Sequence, residues 1–155
     1  MFLVIDIGNT NTVFAIYQNF KSEFQLLKSF RISTNSDRTS DEYSFIISQC
    51  FEISDYDINK LCGVAIASVV PEVLNNIEFY FKTNLKLPFF KVEADKLNIE
   101  INIDNPNEAG QDRLINAFAI QKMKFDPAII IDFGTATTFD VIGTRGSYLG
   151  GIIAP

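Results

Sequence analysis

The sequence contains no histidine among its 155 residues. This absence excludes Ser–His and Cys–His nucleophiles, and it excludes zinc sites that depend on imidazole ligands. Any acid–base catalysis by this chain must therefore use Asp, Glu, Lys, Tyr or Cys side chains.

Cysteine is scarce as well, since only Cys50 and Cys62 are present and their spacing matches no metal-binding motif. Cys50 ends an apolar helical stretch and Cys62 opens an apolar strand. This placement predicts two buried free thiols rather than a disulfide. Free thiols are typical of a reducing compartment, so we expect a cytoplasmic protein.

Basic residues are the minority, with 13 Lys and Arg against 19 Asp and Glu, a net charge of −6 and a pI near 4.6. An acidic chain without a basic cluster repels phosphate backbones, which argues against nucleic-acid binding. Backbone N–H groups or a metal ion could still hold a small anion. The longest apolar run, residues 62–70, is too short to cross a membrane, and no membrane association is expected.

Hydrophobic residues make up 47% of the chain, enough for a real core. Short links between the first three strands predict an antiparallel meander, and the first strand reads as buried on both faces. Ser40 is predicted to cap a helix through Phe51, and Pro71 to begin a second helix. The resulting order is β-β-β-α-β-α-β, with strands at 2–7, 12–18, 24–32, 62–70 and 87–92.

Residues 93–107 are polar and read as extended, and a helix is predicted over 110–124. After it come a strand, a turn and a second strand over 128–143, and a third strand begins near residue 148. No helix follows to cover this second sheet. The apolar face of the predicted helix comprises Leu114, Ile115, Phe118, Ala119 and Met123.

One pattern occurs twice: IDIGNTNT at 5–12 and IDFGTATT at 131–138, an offset of 126 residues that suits duplication of a whole domain. Each copy puts an Asp at a strand end, a Gly in the turn, and small hydroxyl or amide groups after it. Backbone N–H groups of such a turn can hold a phosphate, with a cation between phosphate and carboxylate. A single copy would favour a plain hairpin turn, whereas two copies favour two lobes that hold one nucleotide between them.

The first of these turns resembles the phosphate-binding element of the acetate/sugar kinase, Hsp70 and actin superfamily. More narrowly, six motifs in order resemble type III pantothenate kinases: DIGNTNT, RTSDEY, IASVVP, NPNEAGQDR, DFGTATTFD and GGIIAP. The resemblance implies an α/β fold with a ribonuclease H-like (actin-like ATPase) first lobe and a mixed sheet. That lobe would span residues 1–108, and residues 109–155 would begin a duplicated second lobe that family members continue further.

The implied activity is ATP-dependent phosphorylation of pantothenate to 4′-phosphopantothenate, the first step towards coenzyme A. The implied cofactors are Mg²⁺ with the ATP and either K⁺ or NH₄⁺, and the full-length form is expected to be a homodimer. Three alternatives stay open at this point. One is a non-catalytic regulator similar to the Bvg accessory factors, which share these motifs and would bind a partner through an exposed sheet edge. Another is a truncated remnant of such a kinase, and the third is a related kinase with a different hydroxylated substrate.

The resemblance also implies residue roles. Asp112 would be the general base, and the positive end of a helix dipole would favour its ionised carboxylate. Asp132 would contact the monovalent cation, and Asp6 would hold magnesium through water. Pantothenate would contact Gly110, Gln111, Asp112 and Arg113, with Arg113 as a fork for the carboxylate. ATP would contact Asp6, Ile7, Gly8, Asn9, Thr10, Asn11, Thr12, Val13 and Thr135.

Two residues depart from the family pattern: Gln111 stands where a small residue is usual, and Ile103 where many members have a substrate-touching Tyr. On pattern alone, Asp112 would read as an ordinary helix N-terminal charge and Arg113 as a surface residue. Their place within NPNEAGQDR favours the functional roles.

Overall fold

A computed structural model describes residues 1–20 and 23–154 of the chain. The polypeptide forms two compact units, Met1–Val92 and Glu93–Pro155, and residue 155, the last of the GGIIAP motif, lies outside the described residues. Within the described part, no helix is both long and apolar enough to cross a membrane.

The first unit is a five-stranded mixed sheet with two helices. Strands β1, β2 and β3 form the predicted antiparallel meander, and β4 and β5 add parallel to β1, giving the order β3-β2-β1-β4-β5. The elements are β1 (Phe2–Ile7), β2 (Asn11–Phe20), β3 (Glu23–Ser33), α1 (Ser40–Ile53), β4 (Gly63–Ser68), α2 (Pro71–Tyr80) and β5 (Phe89–Lys91).

The core of this unit lies on one face of the sheet. Leu3, Ile5 and Ile7 of β1 are buried and share a cluster with residues of both α1 and α2. Val4 and Asp6, on the opposite face of the strand, are exposed. The prediction that β1 is buried on both faces is therefore wrong, because both helices pack against the same side of the sheet.

Helix α1 begins one residue earlier than predicted. Its N-cap is Thr39, not Ser40, and Thr39 forms a capping box with Glu42. The Glu42 N–H donates to Thr39 Oγ1 at 3.3 Å, while the Glu42 carboxylate accepts from the Thr39 N–H at 2.7 Å. Two of the orphan N–H groups at the helix start are thereby satisfied.

The two cysteines differ in burial. Cys50, on the inner face of α1, is buried, and burial raises the pKa of its thiol to about 11. Cys62 is exposed, so the prediction of two buried thiols is wrong for this residue. It lies just before β4, where its backbone N–H donates to Met1 O at 2.8 Å while the side chain faces outwards.

The second unit is a three-stranded antiparallel sheet with one helix. The sequence predicts the three strands, and the structure gives their order in the sheet as β6-β7-β8. Its elements are α3 (Gln111–Met123), β6 (Ala128–Phe133), β7 (Thr137–Ile142) and β8 (Tyr148–Ala154). Residues 93–108 contain two single 3₁₀ turns, and their apolar side chains pack against the cluster of this unit. The compact units thus divide before residue 93, whereas the sequence suggested a lobe boundary at 108/109.

The inward-facing stripe of α3 comprises the buried Leu114 and Ala117 and the partly buried Ile120, which pack in one cluster with Ile142 and Tyr148. The predicted apolar face has only Leu114 in common with this stripe; its other residues lie on a different side of the helix. Ala119 and Met123 are exposed, because the row that meets the sheet follows an i, i+3, i+6 spacing.

The face of the second sheet away from its core is apolar and exposed among the described residues. On β6, Ala128 and Ile130 pack inwards, whereas Ile129 and Phe133 are 67% and 82% exposed. On β8, Ile153 is 64% exposed.

Candidate functional site

The first repeat forms the tight hairpin between β1 and β2. Ile7 pairs with Thr12, and the Gly8 N–H donates to Asn11 O at 3.0 Å, which closes the turn. A Cβ on Gly8 would lie 3.3 Å from that same carbonyl, so the turn has little room for a side chain. The predicted ATP residues divide by burial: Ile7 and Thr12 are buried and Val13 is partly buried, whereas Asp6, Asn9, Thr10 and Asn11 are exposed.

Thr34, immediately after β3, braces this turn from behind. Its hydroxyl donates to Gly8 O at 2.7 Å, and its backbone N–H donates to Thr10 O at 2.9 Å. The Thr12 hydroxyl lies 2.9 Å from Thr34 Oγ1 and completes the network. Thr12 therefore supports the turn from the buried side, while the exposed polar residues remain on its outer surface. Sequence analysis missed Thr34, because a threonine after a strand carries no distinctive signal.

The second repeat forms a tighter hairpin between β6 and β7. Asp132 pairs with Thr138 here, whereas Asp6 pairs with Val13 in the first hairpin. The Gly134 N–H donates to Ala136 O at 3.2 Å, one residue nearer than in the first turn. Residues that align between the two repeats therefore do not occupy equivalent positions in the two hairpins. Asp132 and Thr135 are both exposed.

Asp112 lies in the first turn of α3, two residues after the N-cap Gly110. Its side chain is exposed, and its Oδ1 accepts from the Arg113 N–H at 2.9 Å. A Cβ on Gly110 would lie 2.6 Å from that carboxylate oxygen, so glycine leaves space for the carboxylate at the helix start. The helix N-terminus stabilises negative charge at this position.

Arg113 does not lie free on the surface. Its side chain is only 14% exposed, and its Nε donates to Asp140 Oδ1 at 2.7 Å, with Nη2 at 2.6 Å from the same oxygen. Tyr148 also donates its hydroxyl to Asp140 Oδ1, at 2.8 Å, and Asp140 is completely buried. We refer to Arg113, Asp140 and Tyr148 as the buried triad.

Charge and burial shape the protonation of the buried triad. The hydrogen bond to Asp140, reinforced by its charge, raises the pKa of the Arg113 guanidinium despite partial burial. Burial and then the hydrogen bond to Asp140 raise the pKa of Tyr148 to about 12. The sequence analysis assigned no role to Asp140, the last residue of the DFGTATTFD motif, or to Tyr148. A carboxylate between Phe139 and Val141, within an apolar strand, was the signal that could have identified Asp140.

The buried triad borders a pocket of about 320 Å³ within the second unit. Arg113 and Tyr148 line one side, and Asp104 and Glu108 line another. Ile103, which departs from the family pattern, is also in the wall. Of the residues predicted to contact pantothenate, Arg113 alone is among the lining residues, while Gly110, Gln111 and Asp112 lie at the adjoining start of α3.

Carboxylates suitable for a metal ion occur singly at each of the two turns. Among residues 1–20 and 23–154, no three Asp, Glu or Cys side chains are grouped closely enough to form a metal cage. Mg²⁺ is commonly held by one or two carboxylates, waters and substrate phosphates. A single exposed aspartate at each turn, Asp6 and Asp132, fits a cation that arrives with a nucleotide rather than one held permanently.

Solved structures share the fold of this chain at low sequence identity. A propionate kinase from Francisella tularensis matches with a TM-score of 0.56 and 11% identity, over 99% of this chain and 57% of its own. An acetate kinase from Porphyromonas gingivalis gives a TM-score of 0.51 and 12% identity, with the same coverages. The activator of 2-hydroxyisocaproyl-CoA dehydratase from Clostridium difficile, solved with bound ADPNP, gives 0.54 and 12% over 97% of this chain and 44% of its own.

These matches confirm the predicted α/β fold, with a mixed sheet in the first unit. The chain spans about half the length of the solved structures that it matches. The family model for type III pantothenate kinases matches residues 2–155, so this chain belongs to the type III pantothenate kinase family.

Proposed function

We propose that this chain carries out, alone or as part of a longer polypeptide, the ATP-dependent phosphorylation of pantothenate. The observation that carries the proposal is the family match, which extends over both repeat turns and the helix start at Asp112. The kinase family uses ATP with a divalent metal. We further propose that the reaction is cytoplasmic, that K⁺ or NH₄⁺ assists it, and that the complete enzyme is a homodimer.

The first hairpin is proposed to hold the ATP phosphates. Exposed polar residues surround a turn whose backbone is fixed by Thr34, and fixed N–H groups bind anions without the cost of ordering a loop. Asp6 would hold Mg²⁺ through water, and Asp132 would contact the monovalent cation, with Thr135 against the nucleotide. A cation bound with the nucleotide neutralises charge on the transferred phosphoryl group.

Asp112 is proposed to be the general base. In the proposed step, its carboxylate takes the proton of the pantothenate primary hydroxyl, and the hydroxyl oxygen forms a bond to the γ-phosphorus. The bond from that phosphorus to the β–γ bridging oxygen breaks, and ADP leaves with the electron pair. The exposed position of Asp112 on α3 and the absence of histidine both support this assignment.

Arg113 is proposed to bind the carboxylate of pantothenate. A guanidinium offers paired N–H donors to a carboxylate, and Arg113 is the one basic residue in the pocket wall among the described residues. Gly110 and Gln111 would complete this end of the pantothenate site.

The test is ADP release by the purified chain with ATP, Mg²⁺ and K⁺, measured with and without pantothenate. Asp112→Asn should abolish the pantothenate-dependent part, while Asp95→Asn, which removes an exposed carboxylate from a 3₁₀ turn of the same unit, should retain it. A rate of ADP release that is the same with and without pantothenate would contradict the proposed substrate. A folded chain that binds neither ATP nor pantothenate would favour a non-catalytic regulator.

A further inference from the structure

Asp140 is a buried carboxylate for which the proposed reaction has no direct use. It lies in the middle of β7 at zero exposure, and its Oδ2 has no hydrogen-bond partner among the described residues. Burying a carboxylate is costly unless donors compensate it. Arg113 and Tyr148 supply those donors from α3 and β8, so three elements meet at one charged group.

The contacts to Asp140 fix the Arg113 guanidinium in one orientation. Nε donates to Oδ1, whereas Nη2 lies 2.6 Å from the same oxygen but has no hydrogen-bond partner among the described residues. The guanidinium carbon lies 5.9 Å from the centre of the Tyr148 ring. The Nε–H of the guanidinium is thereby committed to Asp140, and the 14% exposed side chain also lines the pocket.

Gly151 in β8 lies directly against the ion pair of Arg113 and Asp140. A Cβ at Gly151 would overlap Phe139 O and Arg113 Nη2, and it would lie 2.7 Å from Asp140 Oδ1. The absence of a side chain at this position is therefore what allows β8 to pass beside the guanidinium. Glycine is the residue that permits such a close backbone approach.

From this geometry we propose that Asp140 and Tyr148 are positioning residues that orient Arg113 to recognise the carboxylate end of the phosphoryl acceptor. The inference rests on the proposed pantothenate kinase function and gives a role to two residues, Asp140 and Tyr148, to which the sequence assigned none.

The charges of the pocket explain why orientation matters. Asp104 and Glu108 in the wall repel an anion, and Asp140 neutralises the Arg113 charge, so net attraction for a carboxylate is small. Recognition then depends on N–H donors held in a set direction, and it selects a carboxylate by geometry. Without Asp140, the arginine would lose rotamer entropy on binding the ligand.

The experiment compares binding of pantothenate with binding of pantothenol, in which a primary alcohol replaces the carboxylate. Calorimetry on the whole chain, with a non-hydrolysable ATP analogue present, gives both dissociation constants. Asp140→Asn and Tyr148→Phe are the test variants, and Asp95→Asn is the control. Asp140→Asn should weaken pantothenate binding about tenfold and leave pantothenol binding unchanged, with a smaller effect in the same direction for Tyr148→Phe.

Folding and orientation are measured separately. Thermal unfolding reports whether each variant is intact, and Tyr148→Phe keeps the ion pair if Asp140→Asn proves unstable. In the ligand-free chain, the Arg113 Nε–H should exchange slowly with water by NMR, and Asp140→Asn should make that exchange fast. Arg113→Lys identifies the resonance.

The outcomes separate this proposal from the proposed function. Pantothenate binding by the unsubstituted chain with no selective loss in either variant, or an equal loss for both ligands, would overturn the positioning role alone. An unsubstituted chain that binds ATP but not pantothenate would overturn the proposed substrate, and this inference with it. Fast exchange of the Arg113 Nε–H in the unsubstituted chain would contradict the fixed orientation whatever the substrate.

Discussion

Thr34 and Gly8, 26 residues apart, are joined by a 2.7 Å hydrogen bond from the threonine hydroxyl to the glycine carbonyl. This bond connects the end of β3 to the hairpin that follows β1. Asn9 and Thr10 of the same turn are exposed. The shape of the proposed phosphate turn therefore depends on a residue outside the repeat that contains it.

We predict that Thr34→Val weakens ATP binding. The substitution keeps the β-branched shape but removes the donor to Gly8 O and leaves the buried Thr12 hydroxyl without its Thr34 partner. Loss of such a bond costs about 1–2 kcal/mol, so the KM for ATP should rise roughly tenfold with little change in the KM for pantothenate. Thr34→Ser keeps the hydroxyl and should behave like the unsubstituted chain. Equal kinetics for all three proteins would exclude a role for this brace.

A second prediction concerns the close approach at Gly151. Gly151→Ala places a methyl group onto Phe139 O, a backbone atom of the neighbouring strand that cannot move independently. We expect a loss of about 3 kcal/mol in the free energy of unfolding. The matched control is Gly134→Ala, whose Cβ would meet only Ala136 O at 3.5 Å, an ordinary contact. Denaturant unfolding of the two variants should therefore differ widely, and similar stabilities would contradict the packing described for β8.

Much of the fold was predictable from the sequence. Apolar runs bounded by turn residues located the strands, and short links indicated the meander of β1, β2 and β3 correctly. The faces were harder to predict, because they depend on which elements pack together. β1 is as apolar as a strand buried on both sides, yet Val4 is exposed since α1 and α2 share one face.

The candidate site was predictable where local motifs mark it and not where distant residues complete it. Asp6, Asp112 and Asp132 stand at turns or helix starts that the sequence shows directly. Asp140 and Tyr148 act through Arg113. The hydrogen bond between Arg113 and Asp140 joins residues 27 positions apart, and it forms only when α3 packs on β7. The turns of the two hairpins likewise differ in length by one residue. This difference lies in the strand register, which cannot be read from the repeated sequence.

The third prediction uses the different environments of the two thiols. Cys62 is exposed, whereas Cys50 is buried with a pKa raised to about 11. Only the thiolate reacts with disulfide reagents, so at neutral pH Cys62 should react quickly and Cys50 only on unfolding. Thiol titration of the native chain should give one fast equivalent, and Cys62→Ser should abolish it. A fast equivalent that survives Cys62→Ser would show that α1 opens readily.

The fourth prediction is a pH dependence of stability that originates at Tyr148. Burial and the Asp140 carboxylate raise its pKa from 10.0 to about 12 in the folded chain. A raised pKa favours the neutral phenol in the folded state, so this contribution is complete below pH 10 and is lost as the pH rises from 10 to 12. The stability advantage of the unsubstituted chain over Tyr148→Phe should therefore shrink by up to about 2 kcal/mol across that interval.

Cys50 and Tyr43 also have raised pKa values, but they are common to both proteins and cancel in the difference. Denaturant unfolding at a series of pH values gives this difference, and Tyr17→Phe controls for the loss of a phenol from the first unit. A difference that stays constant from pH 9 to pH 12, or that grows, would contradict the contact between Tyr148 and Asp140.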